Sequence, residues 1–260
     1  MNSMSNMEKW IAFKTIAGKE IHRFLRIWVQ TLIPPVITMS LYFIIFGNLI
    51  GKQIGDIKGF SYMEFIVPGL ILMAVISNAY ANVVSSFYGA KFQRHIEEMM
   101  VSPVPVWIIL LGYIVGGVSR GLMVGAVVTV VALFFTDLHV AHPALAVTIV
   151  ILTAVLFSIA GLINALFANS FDDISIIPTF VLTPLTYLGG VFYSIQMLPD
   201  FWQSVSRANP ILYMIDGFRW GVLGASDMNP WASISMIVVF VTIFGAVALM
   251  MLQKGFGIRS

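Results

Sequence analysis

Few side chains in this chain of 260 residues are of types that do chemistry, and they are scattered. His139 and His142 share a short loop with Asp137, a donor set too sparse for a metal ion, and read as part of a polar loop. Asp172 and Asp173 are adjacent carboxylates, but a metal-dependent active site needs more acids or histidines around them, so the pair reads as a solvated turn. With no cysteine there is no disulfide framework, no thiolate nucleophile and no Cys-ligated zinc or iron–sulfur site. The run Gly47-Asn48-Leu49-Ile50-Gly51-Lys52-Gln53 imitates a phosphate-cradling loop, with the wrong glycine spacing and no hydroxyl after Lys52. These residues point to no catalytic, metal or cofactor site. The chain is expected not to be an enzyme by itself, and any ATP hydrolysis linked to it belongs to another polypeptide.

What remains is polar groups in apolar surroundings. Asn78, Asn82 and Ser85/Ser86 recur at helical spacing, as do Thr179, Thr183 and Thr186, where Pro178 and Pro184 also free backbone carbonyls. Each stripe either lines a path or bonds helix to helix, the latter worth about 0.6 kcal/mol per contact. Arg120 lies about 21 Å along a helix that starts at Val106. At that depth it costs at least about 2.5–3.5 kcal/mol, so it faces the interior or a wet cavity with a polar partner; otherwise the span begins further along and Arg120 snorkels to an interface. Asp216 and Arg219 either pair on one helix face or stand as separate solvated charges. In Lys91 to Pro105, Phe92, Ile96 and Met99/Met100 share one helical face, with Lys91, Arg94, Glu97 and Glu98 on the others, and Pro103 and Pro105 end the helix. Such a short amphipathic piece, over 90–103, gives a soluble partner something to push on.

The elements that position these residues follow from composition. The chain is 59% hydrophobic and 10% charged, with mean hydropathy +0.93. Soluble domains carry about 25% charged residues, so this is an all-α integral membrane protein. The net charge of +2 is small and forms no nucleic-acid patch. Six segments reach the roughly 20 residues a bilayer requires: Trp28 to Ile50, Glu64 to Tyr88, Val106 to Phe135, Ala144 to Phe167, Ile174 to Phe192 and Trp231 to Leu252. Gly117, Gly121 and Gly125, like Gly112 and Gly116, repeat every fourth residue and indicate close helix packing. With the amino terminus inside, that side holds Lys9, Lys14, Lys19, Arg23, Arg26, Lys91, Arg94, Lys254 and Arg259, against Lys52, Lys58, Arg207 and Arg219 outside, so both termini are expected in the cytoplasm. Over 1–27, Trp10, Phe13, Ala17, Ile21, Phe24/Leu25 and Trp28 form one stripe, expected of an interfacial helix on anionic lipid, or else of a helix packed on another subunit. No removable signal peptide is expected, and Met1, Met4 and Met7 leave the start open. The region 194–230, with Asp200, Arg207, Asp216, Arg219 and the Asn209-Pro210 break, is expected outside as short helices dipping into the outer leaflet.

The order of these features resembles the membrane subunit of a type-2 ABC exporter over nearly the whole chain. The resemblance rests on the amphipathic helix, two spans, a charged helix ending in Ser102-Pro103-Val104-Pro105, then Trp107-Ile108-Ile109-Leu110-Leu111-Gly112. Late in the chain it rests on Pro184-Leu185-Thr186-Tyr187-Leu188-Gly189-Gly190-Val191-Phe192-Tyr193, Leu198-Pro199, Asn209-Pro210 and Arg219. It implies a single domain over 1–260: a six-span bacterial permease that pairs with a second copy in the inner membrane and with a separate ATPase holding ATP and Mg. The loop helix Ala90 to Met100 would couple ATP binding to the opening of a path lined by the second and fifth spans, and the region after Tyr193 would be re-entrant. The competing class, a secondary transporter or channel driven by an ion gradient, usually places acids inside the membrane, and here the expected spans hold only Glu64, at an edge. Stripes without fixed charge suit an amphipathic or lipidic cargo or a drug, although polysaccharide export uses the same architecture.

Overall fold

The computed structural model describes residues 4–258, leaving Met1 and Arg259 outside the described residues. Among the described residues regular structure is helical, apart from one isolated bridge between Ile57 and Phe60. Helix α1 spans Asn6–Arg26, and Ser5 and Glu8 close its start as a reciprocal capping box. Helix α2, Trp28–Ile54, contains Pro34 and Pro35 and passes through a π-helical stretch over Phe43–Ile50. Helix α3, Tyr62–Phe92, begins with a second capping box, Ser61 with Glu64. The short α4 is His95–Val101, and α5, Val106–Ala132, starts directly after Pro105. Helix α6 is Pro143–Phe167, and the last long helix, α10, is Pro230–Lys254. Of these, α2, α3, α5, α6 and α10 are long and apolar enough to cross a membrane.

The segment expected as a fifth crossing over 174–192 is shorter. Helix α7 consists of three pieces of five residues, Asp173–Ile177, a π-helical Pro178–Leu182 and Thr183–Tyr187. It reaches about 22 Å, short of the roughly 30 Å hydrocarbon core. The two prolines cannot donate to the helical ladder, and the chain leaves the helix before Gly190, whose φ of +76° suits a residue without a Cβ. Then come a single 3₁₀ turn at Ile195–Met197, α8 at Asp200–Arg207 and α9 at Pro210–Leu223.

Helix α3 is the core of the bundle, with apolar side chains buried on every face but the narrow one of Ser77, Ala81 and Ser85. Its neighbours close on it through glycine. A Cβ at Gly121 of α5 would lie 3.0 Å from Ala79 Cβ, and one at Gly161 of α6 would lie 2.6 Å from Tyr80 O. The second α5 repeat receives a different helix. A Cβ at Gly112 would strike the Ile16 side chain, and one at Gly116 would come 2.5 Å from Glu20 Cβ, so successive turns of α1 lie along successive turns of α5. Helix α1 buries Ala17, Glu20 and Phe24 in that contact and exposes Trp10 and Ile11, as Trp28 is exposed at the start of α2.

Candidate functional site

Between α3 and α7 lies a cleft of about 400 Å³. Thr179, Thr183 and Thr186 line it from α7, and Ser77 and Ser85 from α3. Asn78 and Asn82 lie off that lining. The helix is turned so that Ser77, Ala81 and Ser85 face the cleft, while Asn78 donates to its own Ala74 carbonyl (3.0 Å) and Asn82 is buried toward α1. The hydroxyl protons of Ser77, Ser85, Thr183 and Thr186 are given to carbonyls of their own helices, so these side chains turn oxygen lone pairs toward the cleft. Among the described residues the lining carries no charged side chain. Asn164 of α6 donates to Ile174 O, an acceptor that Pro178 cannot serve, and so ties the start of α7 to the bundle.

Asn82 is part of a second polar cluster. Arg23 of α1 places Nη2 2.8 Å from both the carbonyl and the side-chain oxygen of Asn82, and its Nε lies 3.5 Å from Glu20 Oε2. Glu20 is fully buried. Arg120, one turn beyond Gly116, is half-buried; its Nε is enclosed and has no hydrogen-bond partner, so the polar partner expected for it is not among the described residues. Sequence reasoning passed over Glu20, although a carboxylate midway between Ala17 and Phe24 on the apolar stripe was a visible signal.

At the Lys91 end the docking segment is not one helix. Helix α3 runs on to Phe92, the chain turns at Arg94 with φ +61°, and α4 starts at His95. Lys91 and Phe92 therefore belong to α3. The Lys91 ammonium donates to Ala168 O (2.6 Å) and Leu166 O (3.0 Å), serving carbonyls that the end of α6 leaves unpaired. Phe92 is exposed and stacks on Phe171, while Ile96 is buried in the core. Arg94 and Glu97 join Lys91 and Phe92 around a cleft of about 300 Å³, closed on its far side by Gly257 and Ile258; Glu98 is exposed beside it. Asp173 is a local cap rather than part of a metal site: it accepts from Asn169 N and Ser170 Oγ, and these bonds hold its carboxyl below the ordinary range.

At the other end Asp216 and Arg219 are buried together. Arg219 donates to Phe65 O (3.2 Å) and Gly190 O (2.6 Å), lies 3.9 Å over the Phe65 ring and 3.9 Å from Asp216 Oδ1. Asp216 in turn accepts from Ser226 Oγ and from the backbone N–H groups of Asp227 and Met228. Asp227 pairs with Lys58 and accepts from Ser194 Oγ. Every charge in this knot has a partner, which rules out the solvated alternative. Lys58, Ser194 and Asp227 escaped the sequence reading because they meet only through the fold.

The model of the ABC-2 type transporter family matches residues 11–223. The inner membrane transport permease YadH of Escherichia coli (strain K12) is 61% identical over 251 residues, covering 96% of this chain and 98% of that protein. Nodulation protein J of Rhizobium leguminosarum bv. viciae is 23% identical over 215 residues, 82% of this chain and 83% of that protein. The nodulation protein J of Rhizobium meliloti (strain 1021) is 25% identical over 186 residues, 71% of each. The chain belongs to the ABC-2 type transporter family.

Proposed function

We propose that this ABC-2 type chain is the permease subunit of an ATP-driven exporter of a bacterial inner membrane, working as a pair of copies with a separate ATPase that holds ATP and Mg. The observation that carries this reading is the uncharged, hydroxyl-lined cleft between α3 and α7. A second copy facing α7 would close the cleft into a path, and the exposed Phe180, Val181 and Ile176 of α7 supply the apolar surface for that contact or for lipid. Helix α7, continued by residues 188–192, would make the fifth of six crossings, with α8 and α9 re-entrant from outside. The ATPase would dock at α4 and the cleft beneath Lys91, where Arg94, Glu97 and Glu98 offer charge and Phe92 an apolar knob. Amphipathic cargo fits a lining of acceptor oxygens set among apolar side chains.

The test uses the absence of native cysteine. A Thr179→Cys chain, reconstituted with its ATPase in vesicles, should react with a water-soluble thiol reagent at a rate that ATP with vanadate changes several-fold. A rate indifferent to nucleotide would remove α7 from the path.

A further inference from the structure

Arg120 is half-buried, its Nε is enclosed without a hydrogen-bond partner, and its neighbours define what would complete it. We propose that Arg23 and Arg120 form a binding site for the phosphodiester of a phospholipid at the junction of α1 and α5.

Depth is the first argument. Helix α1 meets α5 at Gly112 and Gly116. It carries Lys9, Lys14, Lys19, Arg23 and Arg26, and turns so charged, running along α5 past Gly112 and Gly116, keep that end of α5 at headgroup level. From Gly116 to Ala132, where α5 ends, is about 24 Å at 1.5 Å per residue, most of the roughly 30 Å hydrocarbon thickness. Arg120 therefore stands about one turn inside the headgroup boundary and not at mid-membrane, within reach of a lipid phosphate.

Unpaired donors give the second argument. Arg120 Nε, Asn82 Nδ2 and the Tyr113 hydroxyl are enclosed and lack a hydrogen-bond acceptor, while Arg23 Nε faces Glu20, whose two carboxylate oxygens accept no hydrogen bond and are too few to serve all of these donors and the rest of the Arg120 fork. They belong to one cluster: Arg23 bonds Asn82, a Cβ at Gly116 would lie 3.4 Å from Asn82 Nδ2 and 2.5 Å from Glu20 Cβ, and Tyr113 and Arg120 stand one turn to either side of Gly116 on the same face of α5. Charge gives the third. Glu20 is the one acid at this junction among the described residues, it lies against Arg23, and its carboxylate leaves one of the two guanidiniums unbalanced. Excess donors with one excess positive charge call for an acceptor-rich anion. A phosphodiester has that chemistry, and arginine forks bind it. A free phosphate shares it, but would have to shed its water to reach a half-buried group on the membrane side of α1. The inference depends on placement in a membrane and not on transport.

The test is native mass spectrometry of the full chain extracted in mild detergent and titrated with phosphatidylglycerol. The wild-type chain should retain one tightly bound lipid per copy. Arg120→Gln and Arg23→Gln should each weaken retention about tenfold or more, Arg120→Lys should weaken it less, and Arg207→Gln, an exposed arginine elsewhere, should leave it unchanged. Folding of each variant is followed by size exclusion, and the Arg120→Lys and Arg23→Gln chains carry the comparison if Arg120→Gln does not assemble. Equal retention by the wild type and the glutamine variants would overturn the site. Displacement of the lipid by inorganic phosphate alone would mark a free-anion site and overturn the lipid assignment.

Discussion

Arg219 shows why a single residue can decide whether the α9 region holds. Its guanidinium serves two carbonyls on different segments, Phe65 in α3 and Gly190 beyond α7, and it faces Asp216. Removing one member of a buried charge pair leaves the other uncompensated, at a cost of about 3–5 kcal/mol. Arg219→Ala should therefore markedly lower the thermal unfolding midpoint of the detergent-solubilised protein, and Arg219→Lys should fall between, since a lysine cannot reach both carbonyls in a fork. An unchanged midpoint in the alanine variant would show that the knot is not what holds α9 against α3. Residue-level reading of the sequence was uneven for a physical reason. The Thr179, Thr183 and Thr186 stripe was legible as one face because the three recur at helical spacing, and that face lines the cleft. Asn82 was misleading: it lies one position from cleft-facing Ala81, and only the packing of α1 turns it away.

Helix ends were the least legible elements. The periodic pattern from Phe92 through Met100 suggested one docking helix, whereas the structure spends Lys91 on the end of α6 and breaks the chain at Arg94. No local signal marks that break, because arginine is an unusual choice for a left-handed residue. The spans themselves were readable from hydropathy, with α7 the exception: its prolines and π-helical turn shorten a segment whose composition alone is long enough. The split at Arg94 separates Lys91, which is spent on the fold, from α4, the docking element proposed above. Lys91→Met should destabilise the fold by about 1–3 kcal/mol, through carbonyls left without a donor, and be seen as a lower unfolding midpoint of the permease alone. Glu97→Lys with Glu98→Lys should leave that midpoint unchanged and abolish copurification of the ATPase by reversing charge on the docking face. A double variant that still binds its ATPase with normal strength would refute α4 as the docking element.

At the scale of the whole molecule, the bundle fixes which loops share an end without saying which end faces the cytoplasm. Helix α3 is 31 residues long, about 46 Å, so Gln93 after it and Asp56 before it stand on opposite sides of any bilayer it crosses. His139, in the loop between α5 and α6, lies at the Asp56 end, since His142 N donates to Gly221 O of α9 and α9 is joined to the start of α3 through Arg219. Charge gives the expected orientation: the Gln93 end shares its side with the bases of α1, and the positive-inside rule would place that side in the cytoplasm. All three positions are exposed, and the chain has no cysteine to interfere. With single cysteines in whole cells, Asp56→Cys and His139→Cys should react with a thiol reagent that passes the outer membrane but not the inner one. Gln93→Cys should react only after lysis. Because the fold ties Asp56 to His139, the two must label together, and a split between them would contradict the bundle itself. Labelling of Gln93→Cys alone from outside would invert the protein, set α4 on the side without ATP and remove both the docking assignment and the inner-leaflet position of Arg23 and Arg120.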